Sequence, residues 1–107
     1  MSENLFEYRG GIRLSNSILG ELNITYPFVT LCVKERNLTL KWSFIFSRKE
    51  YSLRYDEIIG VKVRKGIIST GIEFVHNNNQ LPNLIIFWTQ RCDEVLDILE
   101  EKGIKRI

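Results

Sequence analysis

The side chains able to do covalent or acid–base chemistry are few and scattered. The chain has one histidine, His76, and two cysteines, Cys32 and Cys92. A nucleophile–base pair would need His76 beside a thiol or serine, and no nucleophile elbow or cysteine signature surrounds any of them. A metal site needs three or four ligands, and a lone histidine with two distant cysteines does not supply them. Asp56 and Glu57 are adjacent, so they diverge on a strand and on a helix and make no acid–base pair. Gly10, Gly11, Gly60, Gly66 and Gly71 fit no phosphate-cradling loop. These residues predict no catalysis, no metal and no cofactor. His76 reads as the end of a strand, hydrogen-bonded into the asparagine-rich stretch at 77–79.

The charges carry more information. The chain holds 15 bases and 13 acids for a net charge of +2, too balanced for a generic nucleic-acid binder. The bases are unevenly placed. Residues 34–65 hold nine bases and four acids, leaving the remainder of the chain net acidic. Lys41, Arg48, Lys49, Lys62, Arg64 and Lys65 are the candidate anion- or partner-binding residues. Lys62 and Arg64 share one face of any strand that contains them. Lys41 would face outward in the same way, and Arg48 and Lys49 fall in a polar loop.

The elements that must position these bases follow from periodicity. Residues 1–17 show no clear period and read as an irregular lead-in, with room for a short strand or a helical turn. From Ile18 the rhythm is two. A first strand runs over 18–26 and is interrupted by Pro27, which cannot donate to a ladder. A second covers 29–33. A third carries Leu38, Leu40, Trp42, Phe44 and Phe46 at every second position. Short strands follow at 51–55, 59–63 and 72–76, and the run LIIFWT at 84–89 is apolar on both faces, as in an interior strand. Twelve aromatics, Trp42, Phe44, Phe46, Phe74, Phe87 and Trp88 among them, are expected to fill the core.

The period then changes. Cys92, Val95, Leu96 and Leu99 stand at helical spacing, and Ile98 widens the stripe. Thr89 is the expected cap, Asp93 and Glu94 suit the first turn, and Gly103 is the expected stop. The reading is one α+β domain over 1–107: a strongly bent antiparallel sheet or barrel of seven strands, sealed by one C-terminal helix. A length of 107 residues with 44% hydrophobic and 26% charged residues suits a single globular core. No secretory leader and no membrane-spanning run is visible, so a cytoplasmic location with two free thiols is expected.

The order of motifs resembles pleckstrin-homology-like domains, in particular the GRAM-type and bacterial PH-like ones. The resemblance rests on NLTL at 37–40, YSLRYDEI at 51–58, VKVRKG at 61–66, GIEFVH at 71–76, LIIFWT at 84–89 and EVLDIL at 94–99. It spans roughly 18–103. It implies a bent seven-stranded sheet with a C-terminal helix, and a non-enzymatic binding module. The best-known lipid-binding members carry a basic cluster between their first two strands; the counterpart taken here, Pro27-Phe28, holds no base. Protein or peptide binding, with self-association as one form, is therefore the first expectation. Peripheral binding to anionic lipid headgroups through the basic face is the second. Single-stranded nucleic-acid binding on a small barrel is the third.

Overall fold

The computed structural model describes residues 5–16, 20–44 and 47–107. Seven strands, a 3-10 turn and one helix follow in order: β1 (Phe6–Asn16), β2 (Gly20–Val33), β3 (Asn37–Phe44), β4 (Ser47–Arg54), η1 (Tyr55–Glu57), β5 (Ile58–Lys65), β6 (Thr70–His76), β7 (Leu84–Thr89) and α1 (Cys92–Glu101). The strands form one antiparallel sheet in the order β4-β3-β2-β1-β7-β6-β5. The sheet curls into a half-barrel around a single core, and α1 lies against that core.

Two expectations about the first third of the chain are corrected. The segment read as an irregular lead-in contains β1, the middle strand of the sheet. Its rhythm is broken by Gly10-Gly11, where the ladder with β2 shifts register between Gly10 and Ile12. Pro27 does not separate two strands either. It lies inside β2, in the 25–28 stretch that swings out opposite Gly11 while pairing resumes on both sides. A proline is tolerated where no ladder bond is asked of it. The true β1–β2 connection is 17–19, so Ile18, the expected start of the first strand, lies outside the described residues.

The register fixes which side chains enter the core. Leu14 pairs with Ile85, Ile12 with Phe87, and Phe87 in turn with Ile72. All are buried, as are Leu31, Leu38, Leu40 and Leu53 on the β2–β4 half. Trp42 is buried too and meets Tyr51 edge-on with ring centroids 5.4 Å apart. Phe46 and the side chain of Phe44, both expected in the core, lie outside what is described. Trp88 departs from expectation. It projects from β7 on the face opposite Phe87 and lies over Gly71, whose absent side chain leaves room for the indole. That arrangement, and the adjoining Ile86, account for the second apolar face of β7.

The helix follows its stripe: Cys92, Val95, Leu96, Ile98 and Leu99 are the buried positions. Its start is shifted from the expected one. Arg91 is the N-cap, and Thr89 closes β7 while its hydroxyl accepts the Arg91 N–H at 3.1 Å. At the other end Gly103 adopts φ +86. Its N–H bonds Glu100 O, and Ile104 N–H bonds Leu99 O, both at 2.9 Å. This is the Schellman closure, completed by burial of Ile104 against Leu99. The chain then runs along the edge of β5. Val61 N–H bonds Lys105 O and Ile107 N–H bonds Val61 O, so residues 105–107 cover part of that edge. The matching outer edge of β4 has no strand against it among the described residues.

Tyr55 ties η1 to the turn between β2 and β3, its hydroxyl donating to Lys34 O at 2.5 Å. Burial pushes its phenol up to about 12. Below pH 10 the proton is held in both folded and unfolded chains, so this contribution is constant there. Between pH 10 and about 12 the unfolded chain releases it first, and stability falls as pH rises. Tyr55→Phe is therefore expected to flatten the stability curve in that window. Absorbance titration of the phenols should lose a late-ionising component in the variant.

Candidate functional site

The six bases singled out in the sequence do not share one face. They divide between the two halves of the sheet. Lys41 stands on β3 and Arg48 and Lys49 on β4, so the stretch 47–50 expected as a loop is strand. A polar run can be a strand there because β4 is an edge with one face open to water. Lys62, Arg64 and Lys65 stand on β5, the opposite end of the strand order. Lys62 and Arg64 do face outward at a period of two. Arg64 reaches across to β6, its Nε donating to Glu73 Oε1 at 2.8 Å.

The first group builds a cleft. Cross-strand register places Arg9, Thr30, Lys41 and Glu50 side by side on β1, β2, β3 and β4. The next row along the same face holds Ser43 opposite Arg48, with Phe28 of β2 beside them. Where β2 bends at Pro27 these rows bound a cleft of about 570 Å³, lined by Arg9, Phe28, Lys41, Trp42, Arg48 and Lys49 among others. Three bases, Arg9, Lys41 and Arg48, share the face that carries one acid, Glu50; Lys49 stands opposite Trp42 in the alternate row and borders the cleft. Phe28 is 67% exposed, an apolar surface among the charges. Trp42 lines the cleft as well, and its buried indole N–H has no acceptor among the described residues. The volume falls in the range of sites that hold small molecules or peptide side chains.

Arg9 was not foreseen, because its strand was not. The only signal for it in the sequence is the sequence Tyr8-Arg9 before a glycine pair, which is too weak to place a strand. The cleft depends on it: Arg9 supplies the base on the far side of Thr30 from Lys41.

The remaining chemistry-bearing residues are structural in placement. His76 ends β6, with Nε2 2.8 Å from Pro82 O and Nδ1 accepting the Asn78 N–H at 3.1 Å. Those contacts assign the proton to Nε2 and fold the 77–83 loop inward, where Leu81 joins the core. Asn78 also donates to Glu57 at 2.6 Å, fastening this loop to η1. Cys32 and Cys92 are both free and buried. Burial, followed by the nearby Asp93 carboxylate, pushes the Cys92 thiol up. Among the described residues no group of three or more His, Cys, Asp or Glu comes together as a metal site. No helix among them is long and apolar enough to cross a membrane.

The cleft thus gathers positive charge beside an exposed phenylalanine, next to the outer edge of β4 that has no strand against it among the described residues. No family model matches the chain, and no curated protein or solved structure matches it either.

Proposed function

We propose that this chain is a non-enzymatic binding module of the pleckstrin-homology-like, GRAM-type kind that holds an acidic, extended segment of a partner protein. The order of seven antiparallel strands followed by one helix supports the kind of module. The cleft supports the ligand. Its bases Arg9, Lys41 and Arg48 against one acid favour negative charge, and Phe28 provides a seat for an apolar or aromatic side chain. The edge of β4 supplies main-chain donors and acceptors for an added strand, a recurrent mode of peptide capture. The observation that carries the reading is the meeting of Arg9, Lys41 and Arg48 around an exposed aromatic, next to the β4 edge that has no strand against it among the described residues.

The test uses a short peptide with one phenylalanine flanked by glutamates. The chain is expected to bind it, more weakly as salt rises. The double variant K41E/R48E should lose about tenfold or more in affinity, because two attractive contacts become repulsive. Both side chains are on the exposed face, so the melting temperature should hardly change. Equal binding by a lysine-for-glutamate peptide, or an unaltered affinity in the double variant, would remove the reading.

A further inference from the structure

The turn between β5 and β6 holds two large apolar side chains outside the core. Ile67 is 104% exposed and Ile68 86%, and neither belongs to the core cluster. They are the two residues inside a tight closure, in which Gly66 N–H donates to Ser69 O at 3.0 Å. The indole of Trp88 backs the turn, reaching the place that a Gly66 side chain would occupy. The tip is therefore a short, braced projection. Polar residues and glycine are the usual occupants of such corners, and contiguous exposed apolar surface marks a contact site.

Beside the tip runs a groove of about 530 Å³ between β5 and the start of α1. Ile68 and Lys65 stand on its β5 side, and Asp93 stands on its α1 side. The groove also reaches Val63, which is half-buried, and Cys92 and Leu96, which are buried, so its floor is apolar. Its charges are unevenly satisfied. Arg91 and Glu94 are paired with each other at 3.2 Å. Lys65 and Asp93 are both exposed, face the groove from opposite sides, and form no ion pair among the described residues.

We infer that this end of the molecule is a two-fold interface between copies of the chain, in which Ile67 of each copy enters the groove of the other. A two-fold contact needs one patch that is complementary to itself. Here the projection and the apolar groove are adjacent, with Ile68 between them, so a single rotation seats both tips at once. The same rotation carries Lys65, two residues from Ile67, to the helix side of the opposite groove, where the partner's Asp93 stands. The match occurs twice in the dimer. That charge complementarity singles out a second copy as the occupant, because one chain supplies both the free base and the free acid. The contact uses neither the cleft nor the edge of β4, which lie at the other end of the strand order, and it does not depend on what the cleft holds.

Sedimentation velocity of the full chain over a dilution series tests this. The mass is expected to rise from one chain to two as concentration increases. I67S/I68S should raise the dimer dissociation constant by about tenfold or more, because the seated side chains lose their apolar contact. K65E and D93K each set like charges together at two places in the dimer and should each weaken it by about fivefold or more. The double variant K65E/D93K reverses both members of each pair and should recover most of that loss. All four side chains are exposed, so circular dichroism should show every variant folded. A chain that stays monomeric up to about 1 mM overturns the inference, as does a dimer that I67S/I68S leaves intact. A double charge variant that dimerises no better than K65E or D93K alone overturns the two-fold arrangement.

Discussion

Replacing Gly10 with valine is expected to remove a large part of the stability of the chain. A Cβ at this position would sit 2.1 Å from the Trp88 carbonyl oxygen and 2.7 Å from the Phe87 ring. The oxygen belongs to the backbone of β7, so no rotamer change relieves the contact. The strand itself cannot move freely. β1 pairs with β2 along most of its length and with β7 over Gly11–Ser15, so it joins the two halves of the half-barrel. The expected loss is about 4 kcal/mol or more, the class of effect reserved for severe steric conflict. Total stability of a domain this size is only about 5–15 kcal/mol. Alanine carries the same Cβ and should behave almost as badly. Urea unfolding followed by circular dichroism decides it. A Gly10→Ala variant melting within a few degrees of the parent would show that β1 does not cross β7 at this point.

Phe87→Ala should be the largest loss among simple truncations. Phe87 is fully buried, pairs with Ile12 on one side and Ile72 on the other, and rests its ring over Gly10. Removing it deletes the aromatic contacts and leaves a cavity at the junction of the two halves, which costs about 3–5 kcal/mol. The cost should rise little when Ile59, which is exposed on β5, is truncated as a control. Combining Phe87→Ala with Gly10→Ala should not restore stability. The ring conflict disappears, but the conflict with the Trp88 carbonyl oxygen remains. Unfolding measured for the single and double variants in one buffer tests this; a rescued double variant would contradict it.

The parts of the fold legible in the sequence are those where one period acts alone. The stripe Cys92, Val95, Leu96, Ile98, Leu99 predicts the buried face of α1 because a helix against a single core has one apolar face. Leu38, Leu40 and Trp42 predict β3 for the corresponding reason. Strand boundaries failed where the chain bends. Gly10-Gly11 falls in the stretch read as irregular and Pro27 reads as an interruption, yet they lie opposite each other in the β1–β2 ladder and mark one shared bend. Sequence periodicity treats each as a break in its own segment and has no means of pairing them.

The site was legible in the same partial way. Lys41, Arg48 and Lys49 are close in sequence and meet across one hairpin, so a count of charges finds them. Arg9 reaches the same cleft only through the β1–β2 pairing. The single basic face expected for residues 41–65 does not exist, because β4 and β5 are consecutive in the chain and terminal at opposite ends of the sheet. The exposed pair Ile67-Ile68 escaped the sequence reading for another reason. Apolar residues next to a strand are assigned to the core by default, and only a tight turn places them in solvent.

Amide hydrogen exchange along β4, with and without the glutamate–phenylalanine peptide, tests the proposed capture of an acidic strand most directly. The β4 amides that do not bond to β3 should exchange quickly in the free chain. They should become protected when the peptide is bound, with little change on β5. Protection that appears on β5 instead, or binding that leaves every β4 amide as fast as before, would contradict the account.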